Sequence, residues 1–247
     1  MRKRRVRRGK SIIGKKVIVI VASLTMCCIV TAFVFDTQMK DDLSSFINQT
    51  LDLNLQVTLP EFKELENLPI VTKYNKVKEV NNDVIGWIRI ENTNIDYPIL
   101  YKDNSAYLYN DYKGTYNFSG SIFLDESCGG KIEQVTLLHG HNMRDGTMFG
   151  SLKKFVDGIL PKDSLIEVYN GEEIRSYEIF SMFYYNVDKM LITTSFRDNQ
   201  GYMDYIQELA RLGNSTIDED YDKEVIVMST CTSTDGGGRW AVVAKRK

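Results

Sequence analysis

A thiol, an imidazole and a guanidinium are sufficient for acyl transfer, and this chain supplies a candidate for each in Cys231, His141 and Arg239. The chain has two histidines, both in Leu138-His139-Gly140-His141-Asn142-Met143, directly after an apolar β-type run. Histidine is the usual acid or base near neutral pH because its unperturbed pKa lies there. A polar loop residue is the plainer reading of such a pair. Position at the mouth of a predicted strand, beside Gly140 and before Asn142, favours His141 as the working group.

Cys231 ends a strongly apolar strand, Val225-Ile226-Val227-Met228, followed by Ser229-Thr230. A cysteine in such a strand is commonly a small buried hydrophobe. Here Ser229, Thr230, Thr232, Ser233 and Thr234 surround it with hydroxyls, which predicts that the strand has reached solvent. Gly236-Gly237-Gly238 then turns the chain back into a strand opening at Arg239. Antiparallel pairing of those strands would return Arg239 to the level of Cys231. A guanidinium offers a fixed charge and a planar fork of donors. It favours thiolate over thiol, and it can hold an oxyanion or position a carbonyl. The alternative for Arg239 is a surface ion pair with Asp235 or another acid. Together the three groups support attack of a thiolate on a peptide carbonyl, protonation of the departing amine by histidine, and an acyl-enzyme. Residue types alone do not decide whether water or an amine resolves it.

These groups need a scaffold, and residues from Val84 onward read as short β-type runs separated by turns. The runs cover 84–90, 95–100, 121–125, 134–139, 165–170, 173–185, 223–231 and 239–246. Asn170-Gly171 between the fifth and sixth is a strong hairpin signal. Eight such strands predict a closed or nearly closed barrel, since closure removes exposed edges. Helices are expected at Met148–Val156 and Asn199–Leu212, the latter with Tyr202, Tyr205, Ile206 and Leu209 on one face. Residues 36–82 read as helical, broken by Pro60 and Pro69, either as a stalk or as a layer on the domain.

The N-terminus is different in kind. Residues 1–16 hold nine Lys or Arg and no acid, leaving 22 basic against 33 acidic side chains in the rest of the chain. Such a body repels a polyanion, which argues against nucleic acid as a partner. Residues 17–35 follow without a charge, about the length of helix that crosses a bilayer. The basic flank predicts a cytoplasmic N-terminus and residues 83–247 outside the cell, with the apolar segment an uncleaved signal anchor. Cys27 and Cys28 fall within that segment, leaving Cys128 and Cys231 as a possible disulfide in an oxidising compartment. No Cys-x-x-Cys or His-Glu-x-x-His spacing marks a metal site, and no cofactor is expected.

The chain resembles the sortase family, and class B within it. The resemblance rests on Gly140-His141-Asn142-Met143, on Ser229-Thr230-Cys231 as the end of the family's T-L-x-T-C motif, and on Arg239 opening Arg-Trp-Ala-Val-Val-Ala-Lys. It covers roughly residues 75–247 and departs from the common motif at Met228-Ser229. It implies a mainly-β, eight-stranded sortase barrel with N-terminal helices and an inserted helix before the cysteine strand, preceded by one transmembrane helix. It implies a cysteine transpeptidase that cleaves a C-terminal sorting signal of Asn/Ser-Pro-x-Thr type after threonine. The acyl group then passes to a peptidoglycan amine or a pilin lysine. His141, Cys231 and Arg239 carry over as catalytic residues, and the N–H of Thr232 as an oxyanion donor. Asn104, Leu108, Ser229 and Thr230 carry over as substrate contacts. Calcium is not implied.

Two other readings stay open at this point. An exported cysteine peptidase would hydrolyse the same acyl-enzyme, although papain-like enzymes place cysteine before histidine and at a helix start. A non-enzymatic surface adhesin on a β scaffold would be indifferent to loss of Cys231.

Overall fold

The computed structural model describes residues 65–232 and 237–247. The basic tail, the predicted membrane span at 17–35, most of the 36–82 segment and residues 233–236 of the last hairpin lie outside the described residues. Among those described, no helix is long and apolar enough to cross a membrane.

Eight strands close into a barrel: β1 Val84–Ile90, β2 Asp96–Leu100, β3 Ile122–Leu124, β4 Val135–His139, β5 Ile166–Tyr169, β6 Ile174–Asn186, β7 Val225–Cys231 and β8 Gly238–Arg246. Their order around the barrel is β1-β2-β3-β4-β7-β8-β6-β5. The β2/β3 and β4/β7 pairs are parallel and the rest antiparallel. Each expected run becomes one strand, with ends shifted by up to two residues. The Asn170-Gly171 hairpin joins β5 to β6, and Gly171 adopts φ 94°, a backbone region open to glycine.

Side-chain alternation sorts the barrel into two apolar layers. Ile88, Ile99, Ile122, Leu138, Ile226, Met228 and Val242 fill the interior. Val135, Leu137, Val225, Val227, Ala241 and Val243 point outward, beneath α3 (Asn199–Leu212), whose Tyr202, Ile206 and Leu209 are buried in the same cluster. Strand β7 is therefore covered on both faces, which is why its sequence is continuously apolar rather than alternating. Helix α3 starts where Asp198 accepts a hydrogen bond from the Gly201 N–H at 2.8 Å, an N-cap.

Helix α1 (Ile70–Val80) lies against the barrel. Its Lys73, 2% exposed, pairs with Asp96 of β2, and the Trp87 Nε1–H donates to the same carboxylate at 2.6 Å. This part of the 36–82 segment thus packs as a layer on the domain. The helix expected at Met148–Val156 is shorter: a 3₁₀ turn at Gly150–Leu152 runs into α2, Lys153–Val156. Met148 takes φ 48° and bridges to Asn142, so it closes the histidine loop instead of starting a helix.

Candidate active site

Strands β7 and β8 pair so that Cys231 and Arg239 are direct cross-strand partners. Paired residues share a face, and the Arg239 Nη1 hydrogen-bonds the Cys231 Sγ. On its other side Arg239 pairs with Tyr185 of β6, so the guanidinium springs from a strand held on both edges. A long side chain rooted this way holds its donor fork at low conformational cost.

The histidine loop leaves β4 alongside β7, where His139 pairs with Ser229. Three hydrogen bonds then tie it to the cysteine strand. Thr230 Oγ1 donates to the Gly140 carbonyl at 2.8 Å, Asn142 Nδ2 donates to the Cys231 carbonyl at 2.8 Å, and the Gly140 N–H reaches the Ser229 carbonyl at 3.3 Å. His141 Nε2 lies 2.7 Å from the Leu108 carbonyl and its ring sits 5.3 Å from that of Tyr109. A carbonyl only accepts, so Nε2 carries a hydrogen, and Nδ1 is the nitrogen left to gain or lose a proton.

Gly140 makes this loop possible. A Cβ there would stand 2.4 Å from Ile122 Cδ1 and 2.8 Å from Phe149 Cδ2, both in fully buried side chains. Gly140→Ala is expected to destabilise the domain by about 1–3 kcal/mol through overpacking. It should also lower peptide turnover by shifting His141. Thermal unfolding with steady-state kinetics checks both effects.

One cleft of about 410 Å³ collects the predicted residues. Cys231, His141 and Arg239 line it, and so do Asn104, Leu108, Ser229 and Thr230; Thr232 is not among its lining residues. One expectation needs correction. Ser229 and Thr230 do not lie in solvent: they are 1% and 4% exposed, because β7 stays covered up to Thr230, with Cys231 the first half-exposed residue. Their hydroxyls instead brace the structure, Ser229 Oγ to the Tyr185 hydroxyl at 2.7 Å and Thr230 to the histidine loop. The Thr232 N–H is donated to the Gly238 carbonyl at 2.9 Å, so it could serve an oxyanion only by sharing or leaving that bond.

Cys128 and Cys231 do not pair; both are free thiols. Burial pushes the Cys128 thiol up to about 11, and its sulfur accepts from the Leu137 N–H at 3.4 Å. It is a packed residue with little thiolate character at neutral pH.

Sequence reasoning missed Asp125, His139 and Tyr185, which also line the cleft. Asp125 Oδ2 lies 2.8 Å from His139 Nε2 and receives Asn104 Nδ2 at 3.0 Å. Burial alone would raise its carboxyl, but hydrogen bonds from His139 and Ser127 outweigh that and hold it well below the usual carboxylate range. The Asp125-Glu126-Ser127 run is a local N-cap signature that the sequence does show. Its link to His139 is a tertiary contact that spacing does not reveal. Among the described residues no group of three His, Cys, Asp or Glu could hold a metal ion.

A closed eight-stranded barrel with thiol, guanidinium and imidazole on one cleft defines a cysteine-dependent acyl-transfer site. Residues 88–247 match the family model described as Sortase domain, and the chain belongs to the sortase family. Among curated proteins it is 34% identical to Sortase B of Listeria monocytogenes over 164 residues, 63% of this chain and 65% of that protein. It is 29% identical to Sortase B of Staphylococcus aureus, over 70% of this chain and 74% of that one. The chain thus spans just under two thirds of the Listeria relative's length. The solved Clostridium perfringens sortase B superposes with a TM-score of 0.64 at 30% identity, covering 70% of this chain and 98% of that one. A Staphylococcus aureus sortase B-substrate complex gives 0.58 at 25% identity, covering 83% and 97%. Class B is the branch these relatives occupy.

Proposed function

We propose that this chain is a class B sortase: a membrane-anchored cysteine transpeptidase that joins surface proteins to a cell-wall amine. The observation that carries the reading is the Arg239–Cys231 hydrogen bond in a cleft shared with His141. The Cys231 thiolate attacks the carbonyl of a threonine in the sorting signal, and the Arg239 fork stabilises the charge that develops on its oxygen. Collapse breaks the peptide bond, and His141 gives a proton to the departing amine. The acceptor amine then attacks the thioester, His141 takes its proton, and the thiolate leaves. Atoms and protons balance without any further reagent.

Asn104 and Leu108, which line the same cleft, are the contacts proposed for an extended Asn/Ser-Pro-x-Thr segment. Ser229, Thr230 and Thr232 shape the site mainly through the backbone they hold. The uncharged run at 17–35 and its basic flank support a single-pass anchor with the barrel outside the cell.

The test is a panel of sorting-type pentapeptides with triglycine, read by mass spectrometry. The expected product is the triglycine adduct, formed at the expense of free acid. Free acid alone, at a rate unchanged by triglycine, would establish an exported cysteine peptidase instead.

A further inference from the structure

Asp125 directly follows β3, lines the cleft, and has no part in the chemistry just described. All four lone-pair positions of its carboxylate are filled. Oδ1 accepts from the Ser127 N–H at 2.9 Å and from the Ser127 hydroxyl; Oδ2 takes His139 at 2.8 Å and Asn104 at 3.0 Å. A saturated carboxylate has nothing left for a ligand, so its role lies in what it holds.

What it holds are two separate stretches of the cleft lining. The Asn104 amide is oriented twice: Nδ2 toward Asp125, and Oδ1 accepting from the Glu126 N–H at 2.9 Å. Among the described residues, that leaves one N–H of the amide for a peptide carbonyl. Through Ser127, which Asp125 holds, the Thr194 hydroxyl is engaged as well, 3.1 Å from the Ser127 carbonyl and 3.0 Å from its hydroxyl. Thr194 belongs to the segment between β6 and α3 that also brings Val187, Leu191 and Ile192 to the cleft. Asp125 also holds the His139 ring at the end of β4, but beyond that residue the histidine loop is tied to β7 through Thr230, Asn142 and Ser229, bonds that do not involve Asp125.

We propose that Asp125 is a positioning residue for the acyl donor, joining Asn104 to the Thr194 segment so that the cleft is set for an extended peptide before chemistry begins. This rests on the sortase reading of the site. It separates capture from catalysis: losing Asp125 should weaken peptide binding while leaving Cys231 as reactive as before.

Affinity is read without turnover, by calorimetric titration of a sorting-type peptide into the Cys231→Ala protein. Adding Asp125→Ala is expected to weaken binding about tenfold, since a hydrogen-bonded charge at a hub is lost. In an Asn104→Ala background the same change should cost less than about threefold, because the two residues act as one unit. In active protein the loss should fall on KM, with the alkylation rate of Cys231 by iodoacetamide within about twofold of wild type. Should Asp125→Ala not fold, Thr194→Val at the surface is expected to weaken binding about threefold. Unchanged affinity in these variants, full additivity with Asn104→Ala, or a loss carried by kcat with slowed alkylation would overturn the proposal. Affinity that depends on Asp125 in a protein that transfers no peptide would defeat the sortase reading and leave the positioning role standing.

Discussion

Cys231→Ala should reduce sorting-peptide cleavage to background, a loss of roughly a thousandfold or more, because no other group can form the thioester. The fold should be almost untouched. Cys231 is the last residue of β7, only partly buried, and the change removes a single sulfur. Its backbone contacts, the Asn142 bond to its carbonyl and the pairing with Arg239, do not depend on the side chain. Unfolding free energy is expected to move by less than about 1 kcal/mol. Circular dichroism and thermal melting beside the activity assay separate the two effects. Retained cleavage by this variant would remove the thiol from the mechanism.

Arg239→Lys should cost roughly a hundredfold in kcat/KM although the charge is kept. The guanidinium contacts Cys231 Sγ from a strand braced on both edges, and the same fork must meet the oxyanion. An ammonium on a flexible stem is a point charge without that fixed pair of donors. Steady-state kinetics of the lysine variant therefore distinguish geometry from charge. A rate near wild type would mean that positive charge alone suffices and that the fork does not hold the transition state.

Much of this arrangement was legible in the chain. The turn signals divided residues 84–246 into eight runs that all became strands, because local turn chemistry and β-branched runs agree with the barrel. The short return through Gly236-Gly237-Gly238 predicts Arg239 near the level of Cys231, and the two are cross-strand partners. What escaped was set by tertiary packing. Ser229 and Thr230 read as solvent-facing hydroxyls, yet both are buried, with Tyr185 taking up the Ser229 hydroxyl and the histidine loop that of Thr230. Asp125 reads as the end of the 121–125 run with no chemical role, and the β3/β4 pairing brings it to His139. Met148 carries helix-compatible chemistry but is held at positive φ by its bridge to Asn142. For the first two a contact distant in sequence overrode a local preference, and for Met148 a bridge within its own loop did.

The central claim is that the sulfur of Cys231 carries the acyl group between donor and acceptor, and intact-mass spectrometry of the full chain tests it most directly. Mixed with a sorting-type peptide in the absence of amine, the protein should gain the mass of the acyl fragment. Peptide mapping should place it on Cys231 and not on the half-buried Cys128, whose thiol is held protonated, and triglycine should discharge it into the transfer product. Product formed with the acyl group mapped to another residue, or with no acyl-enzyme even under rapid quenching, would contradict the account.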